Sequence, residues 1–392
     1  MKADLQAIQR ALKKEELDGW LFADIQARDA ITQEFLGLKG AFATRRLFYF
    51  IPAKGQPVKI LSGIEPLLLD HLPGSKRLYL GLEQQTAALG SVLKPGMRVA
   101  MQYSEQGNVP LVSTMDAGLF EFLKGFGIRP VSSGDLLQYF QAVLTEAQLA
   151  SHKEAGERIH RVLNQSFAWI RRSLDQGEKI EELGFEQVIF GLFEREGLEA
   201  DGRSIFFGVD EHGADPGYEP TGQTSREIRE GSRLIIDISG RLPGDHSVFY
   251  DVSWNMQVGK QVDPEYERLF QITREARDQA IELIQREASQ GRKIPGCQVD
   301  RQTMDIFRKY GVESYRKHRT GHNIGHHCHG KGANLDAFET VDTRSLLPGT
   351  LFSVEPGIYT DIYGLRTEVD VYLTKEGNVK IFGPVQEHIL CI

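Results

Sequence analysis

Two neighbouring apolar runs each carry an aspartate in their interior, and this feature constrains the fold more than any other. They lie in RLIIDISGRLPGDHSVFYDVSW, residues 233–254. LIIDI reads as a buried strand holding Asp237, and VFYDVSW reads as a second strand holding Asp251. Pro243-Gly244 between them is a turn signal, so a hairpin would set the two aspartates side by side. An acid inside an apolar strand is costly unless it is paired, protonated or metal-bound. Two together repel unless a cation lies between them.

The pattern recurs in LFSVEPGIYTDIYGLRTEVDVYL, residues 351–373. Glu355 follows an apolar strand and precedes the turn signal Pro356-Gly357. Glu368 sits in a later strand, across a hairpin-like connection. Arg366 and Glu368 are two apart, which predicts that both point to one face of that strand. Between the two acidic hairpins lies HRTGHNIGHHCHG, residues 318–330, with five of the chain's eleven histidines. Gly321 and Gly325 flank His322 and permit close backbone approach.

Each acid taken alone reads as a surface carboxylate or an ion-pair partner. Four inside short apolar strands, with a His-Gly segment between the hairpins, read as a metal site. Asp237, Asp251, His322, Glu355 and Glu368 form an oxygen-rich set with one imidazole. Manganese, iron, cobalt or zinc suits that set, and a thiolate zinc cage does not. Four carboxylates and one histidine can hold two ions, which together can activate water and polarise a carbonyl.

The order Asp, Asp, His, Glu, Glu, with GHNIG, FSVEPGIY and LRTE, resembles the pita-bread metallopeptidases. That family includes methionine aminopeptidase, aminopeptidase P, prolidase and the metal-free creatinase. ANLDAFETVDTRSLLPGTLFSVEPGIY is most similar to the branches that cleave Xaa-Pro bonds. The likeness covers about residues 145 to 392, and the region before it resembles the creatinase-type N-terminal domain. The expected architecture is therefore an α/β N-terminal domain, residues 1–145, and an α+β pita-bread catalytic domain, residues 146–392.

The resemblance implies that the five donors hold two divalent metal ions, with manganese the first candidate and cobalt, zinc and iron the others. It implies hydrolysis of the bond before proline, with Glu355 also relaying the proton. It implies that His329 hydrogen-bonds the substrate and that Arg366 orders the Glu368 side. A homodimer is implied too. The expected activity is that of an Xaa-Pro dipeptidase acting on proline-containing peptides. An Xaa-Pro aminopeptidase working on longer peptides is the nearby alternative.

Three departures from the family pattern bear on this reading. The two aspartates are fourteen residues apart rather than eleven, which a longer hairpin turn absorbs. VSWNM stands where the family has D-x-T-R-T, which puts the support of the ligands in doubt. ADPGYEPT places Gly217 where a substrate-contacting histidine is usual. His212, five residues earlier, and Tyr218 are the candidate replacements. Gly217 also leaves open a metalloenzyme acting on a non-peptide substrate. His326 and His327 match no ligand position, Cys328 reads as a small buried residue, and His318 has no assigned role.

Composition excludes other classes. A net charge of −8 disfavours nucleic acid and anionic membranes as partners. Three scattered cysteines form no disulfide framework and suit a reducing cytoplasm. The first residues form a charged amphipathic helix, with Leu5, Ile8 and Leu12 on one face, rather than a signal peptide.

Overall fold

The computed structural model describes residues 4–38, 42–201 and 204–392. The chain divides into two compact units, Met1–Gln141 and Ala142–Ile392.

The first unit is built on a mixed six-stranded sheet. Gly19–Asp24 lies inside it, antiparallel to Leu47–Pro52 on one side and parallel to Arg98–Met101 on the other. Trp20 and Phe22 pack into one core cluster, and Leu21 and Ala23 into another. Both faces are therefore covered, which is why this strand reads as a continuous apolar run rather than an alternating one. The opening helix, Leu5–Lys14, is capped by the Asp4 side chain and buries Ile8 and Leu12, with Leu5 packed partly against the same core. LVSTMDAGLFEFLKGFG forms a shorter helix than its apolar content suggests, Ala117–Lys124, because the Asp116 carboxylate caps it at the Leu119 N–H.

The second unit repeats one arrangement. A helix of 30 residues, Glu146–Asp175, and one of 15, Glu182–Glu196, precede a sheet that contains Arg233–Gly240 and Tyr250–Gln257. A helix of 26 residues, Pro264–Ser289, and one of 14, Gly296–Lys309, precede a second sheet that contains Leu351–Val354 and Val369–Leu373. Both long helices start at strong signals. Thr145 and Gln148 form a reciprocal capping box, and Asp263 caps the other helix just before Pro264. Each long helix lays its apolar face on its sheet: Ile159 and Val162 against Ile236 and Val252, and Leu283 and Ile284 against Phe352 and Val371. Among the described residues, no helix is long and apolar enough to cross a membrane.

Gly156 lets the long helix approach the sheet, since a Cβ there would lie 2.5 Å from the Tyr250 ring. One turn earlier, His152 is fully buried, with Nδ1 2.7 Å from the Phe249 carbonyl. Burial pushes its pKa down to about 4 from an ordinary 6.5, against the pull of that hydrogen bond. The folded state thus favours the neutral ring. Its contribution is fully present above pH 6.5 and is lost as pH falls from 6.5 to 4. The total is on the order of 3 kcal/mol. Urea melts at pH 7 and pH 5 should show wild type losing more stability than His152→Gln over that interval. Equal losses would contradict this account.

Candidate metal centre

The sheet register sets the first two carboxylates. Asp237 pairs with Ser253, and Asp251 pairs with Ser239. The aspartates therefore sit diagonally, as neighbours on one face of the strand pair. Glu355 directly follows the strand Leu351–Val354, and the Ser353 hydroxyl donates to its Oε1 at 3.0 Å. The same hydroxyl accepts the His322 backbone N–H at 3.0 Å, which ties the His-Gly segment to that strand. Gly321 makes this approach possible, because a Cβ there would lie 2.1 Å from the Ser353 carbonyl oxygen. Gly321→Ala should therefore cost about 1–3 kcal/mol and displace His322. Thermal melting and metal titration of that variant test this, and wild-type values for both would refute the close approach.

Arg366 and Glu368 depart from the expected shared strand. One strand ends at Arg366, the next begins at Val369, and Glu368 lies in the link. Asn255 causes the break. Its side chain accepts the Arg366 N–H at 3.2 Å and donates to the Arg366 carbonyl at 2.6 Å, replacing ladder partners. The guanidinium of Arg366 contacts Asp237, donates to Ser253 Oγ at 2.9 Å and lies 3.4 Å from Glu355. Ser253 Oγ also lies 2.7 Å from Glu368 Oε2. The doubt raised by VSWNM is thus corrected, since Ser253 and Asn255 supply support that the sequence pattern showed as missing.

His322 Nε2 lies 3.6 Å from Asp251 Oδ2 and 3.3 Å from Glu355 Oε1. Its Nδ1 lies 3.2 Å from the Asn323 carbonyl. A proton on Nδ1 would satisfy that carbonyl and leave the Nε2 lone pair turned to the carboxylates. Burial and neighbouring acids, Asp237 for the first and Asp251 for the second, push Asp251 and Glu368 well above the carboxylate range. Glu355 behaves differently. Burial acts to raise it, yet His322, Arg366 and His318 together hold it down at about 2. His329 packs on His322 with ring centroids 4.3 Å apart, and that neighbour, with burial, lowers it to about 4.

The donors fit a bound divalent cation. Glu368 Oε1 is buried with no hydrogen-bond partner among the described residues. Donor atoms of Asp237, Asp251 and Glu368 lie within 4.8 Å of one another, as do those of His322, Glu355 and Glu368. A cation would stabilise charges that burial and mutual repulsion otherwise disfavour. Asp237, Asp251, His322 and Glu355 border a cavity of about 310 Å³, which His329, Arg319, Cys328 and Pro216 also line.

The structure does not bring His212 or Tyr218 into that cavity. The two rings stack 4.1 Å apart and turn to Glu182. His212 Nδ1 lies 2.9 Å from Glu182 Oε2, and the Tyr218 hydroxyl donates to it at 2.7 Å. Glu182 is fully buried and also accepts the backbone N–H groups of Val209 and Arg226 at 2.8 Å each. A buried carboxylate needs such donors, and it has recruited both side chains. Pro216 reaches the cavity instead. His326 packs on Arg241, and His327 is exposed, 3.3 Å from Asp201. His318 borders the cavity and contacts the Tyr359 hydroxyl at 2.7 Å. Arg319 and Glu182 were not identified from sequence.

The family model described as metallopeptidase family M24 matches residues 150–375. The chain belongs to metallopeptidase family M24. It shares 28% identity over 347 residues with the probable dipeptidase PepE of Mycobacterium bovis, covering 84% of this chain and 82% of that one. Two solved M24-like structures give the fold. Dipeptidase PepE from Mycobacterium ulcerans aligns with a TM-score of 0.64 at 21% identity, covering 99% of this chain and 96% of its own. A recombinant prolidase from Thermococcus sibiricus aligns at 0.56 and 20%, covering 99% and 98%. The fold is the pita-bread arrangement of these M24 enzymes, preceded by an N-terminal domain.

Proposed function

We propose that the second unit is a dinuclear Xaa-Pro dipeptidase, with Asp237, Asp251, His322, Glu355 and Glu368 holding two divalent ions. The observation that carries this reading is the convergence of Asp237, Asp251, His322 and Glu355, with His329, on one small cavity, and the grouping of Glu368 donor atoms with theirs. Bound ions would supply Lewis acidity and a nucleophilic water at neutral pH. Manganese heads the candidate metals, followed by cobalt, zinc and iron.

The chain's own groups take distinct parts. Glu355, held ionised by His322, Arg366 and His318 despite its burial, accepts a proton and passes it to the leaving amine. His329, neutral at pH 7, hydrogen-bonds the substrate carbonyl. Arg366 holds Asp237 and Glu355 in place. The cavity is at the small end of the roughly 300–1,000 Å³ range of ligand pockets, which favours a dipeptide over a longer chain. Arg319 on its wall, 3.5 Å from Glu339, offers a cation for the dipeptide's carboxylate in exchange for that partner. A homodimer in a reducing cytoplasm completes the reading. Three free thiols support that compartment, and the exposed Leu80 and Leu82 at the edge of the N-terminal sheet support a partner.

Gly217 supports a second reading, a metal-dependent hydrolase of a non-peptide substrate. The test is a mass-spectrometric panel of Xaa-Pro dipeptides, Xaa-Pro tripeptides and matched peptides without proline, with manganese, cobalt or zinc loaded. Cleavage confined to Xaa-Pro dipeptides is expected. Cleavage of tripeptides would make the enzyme an aminopeptidase. No cleavage with two ions bound would reject peptidase activity and favour the second reading.

A further inference from the structure

The metal centre contains one side chain that the oxygen-rich donor set does not use. Cys328 lines the cavity and is only 6% exposed. Its Sγ lies 2.9 Å from Asp251 Oδ2, the same oxygen that lies 3.6 Å from His322 Nε2. All three donor atoms fall within 4.8 Å of one another. Two donors bonded to one ion at about 2.0–2.3 Å are themselves roughly 3–3.6 Å apart. The Cys328–Asp251 and Asp251–His322 spacings are therefore close to those of donors around a single ion, and the third pair lies within 4.8 Å. The unpartnered Glu368 Oε1 belongs to the two neighbouring donor groups, which between them share Asp251 and His322 with this one, and marks that adjoining region as a cation site.

The chain path explains how a residue six positions after His322 returns to it. The Gly325 N–H donates to the His327 carbonyl at 3.1 Å, and the Gly330 N–H donates to the Asn323 carbonyl. The segment folds back on itself and turns Cys328 inward, while His326 and His327 stay outside the cavity. The other thiols lie elsewhere, Cys297 in the first turn of a helix and Cys391 in the last strand.

We propose that Cys328 is a metal ligand, its thiolate joining Asp251 and His322 at one of the two ion positions. The thiol proton passes to solvent as the metal–sulfur bond forms. This rests on the dinuclear reading above and makes the two positions chemically unequal. The position bounded by Asp237, Asp251 and Glu368 is all oxygen and suits manganese. The Cys328 position has sulfur and imidazole donors and favours zinc or cobalt.

The test is spectroscopic. Full-length wild type, Cys328→Ser, Cys328→Val and, as a control, Cys297→Ser are loaded with cobalt(II). Bound ions are counted by native mass spectrometry, and near-ultraviolet absorption is recorded. A thiolate-to-cobalt charge-transfer band is expected in wild type and Cys297→Ser and absent from both Cys328 variants. Zinc held against excess manganese should weaken in Cys328→Val by more than the roughly 10–100-fold that an outer contact costs. Two cobalt ions bound to wild type without that band would overturn the ligand assignment alone. No bound metal would overturn the dinuclear reading and this inference with it. A band that persists in a folded Cys328 variant would also overturn the assignment. Cys328→Val retains a buried side chain of similar size if the serine variant fails to fold.

Discussion

Asp251→Asn should strip the protein of metal and activity while leaving the metal-free fold at least as stable as wild type. Asp251 is 5% exposed, and burial beside Asp237 already disfavours its charge. Asparagine has the same shape without that charge. Its carbonyl oxygen can still accept from the Cys328 thiol, and its backbone N–H still donates to Asp370 Oδ2 at 2.8 Å. The metal-free protein therefore loses a repulsion rather than a contact. Metal binding loses a donor shared by two of the donor groups. Affinity should drop by more than the roughly 10–100-fold that an outer contact costs. Saturating metal at 1,000 times Kd stabilises a binding protein by about 4 kcal/mol, and the variant should lack that shift. Melts with and without metal, and metal counts, measure both halves. A variant that keeps two ions and the full metal-induced shift would remove Asp251 from the ligand set.

Glu182→Ala should be the most destabilising single change outside the cavity. Its carboxylate accepts from Val209 N, Arg226 N and the Tyr218 hydroxyl and contacts His212. Truncation leaves the Val209 and Arg226 N–H groups without this acceptor, at about 1–3 kcal/mol for each that water cannot reach, while the Tyr218 hydroxyl keeps the Thr224 carbonyl at 3.2 Å. A loss of about 3–5 kcal/mol in a urea melt is expected. Pro216, which borders the cavity, lies in the loop these bonds anchor, so KM should rise more than kcat falls. Glu182→Gln keeps one acceptor oxygen but turns an amide toward donors, and should fall between the two. A Glu182→Ala protein within 1 kcal/mol of wild type, a value of the order of a single ordinary hydrogen bond, would show that water or a shifted side chain replaces the hub.

The acids and histidine of the centre were legible because their placement breaks a local rule. Charge in or beside an apolar run is costly, and the recurrence of four such acids around a His-Gly segment stood out where no single one did. The supporting residues break no such rule. Glu182 opens a helix, where an acid is ordinary. Ser253 and Asn255 are unremarked polar residues in a strand, and only their pairing with Glu368 and Arg366 gives them a role. Arg366 and Glu368 were assigned one strand because periodicity cannot register the break that Asn255 imposes from 111 residues away. His212 was placed near the substrate by proximity in sequence, whereas a buried carboxylate from another helix decides where it points. Cys328 was read by its size, and the thiol's position beside Asp251 depends on how the His-Gly segment folds back.

The repeated layout of the second unit makes the donor set a joint product of its two halves. Asp237 and Asp251 come from the first helix-and-sheet half, and His322, Glu355 and Glu368 from the second. The bonds that join them span long stretches of chain, 115 residues from Ser253 to Glu368 and 119 from Asp251 to Asp370. A nascent or partly unfolded chain can hold either half of the donor set but not both. On the proposed reading, a complete donor set would require the two halves to have docked in register.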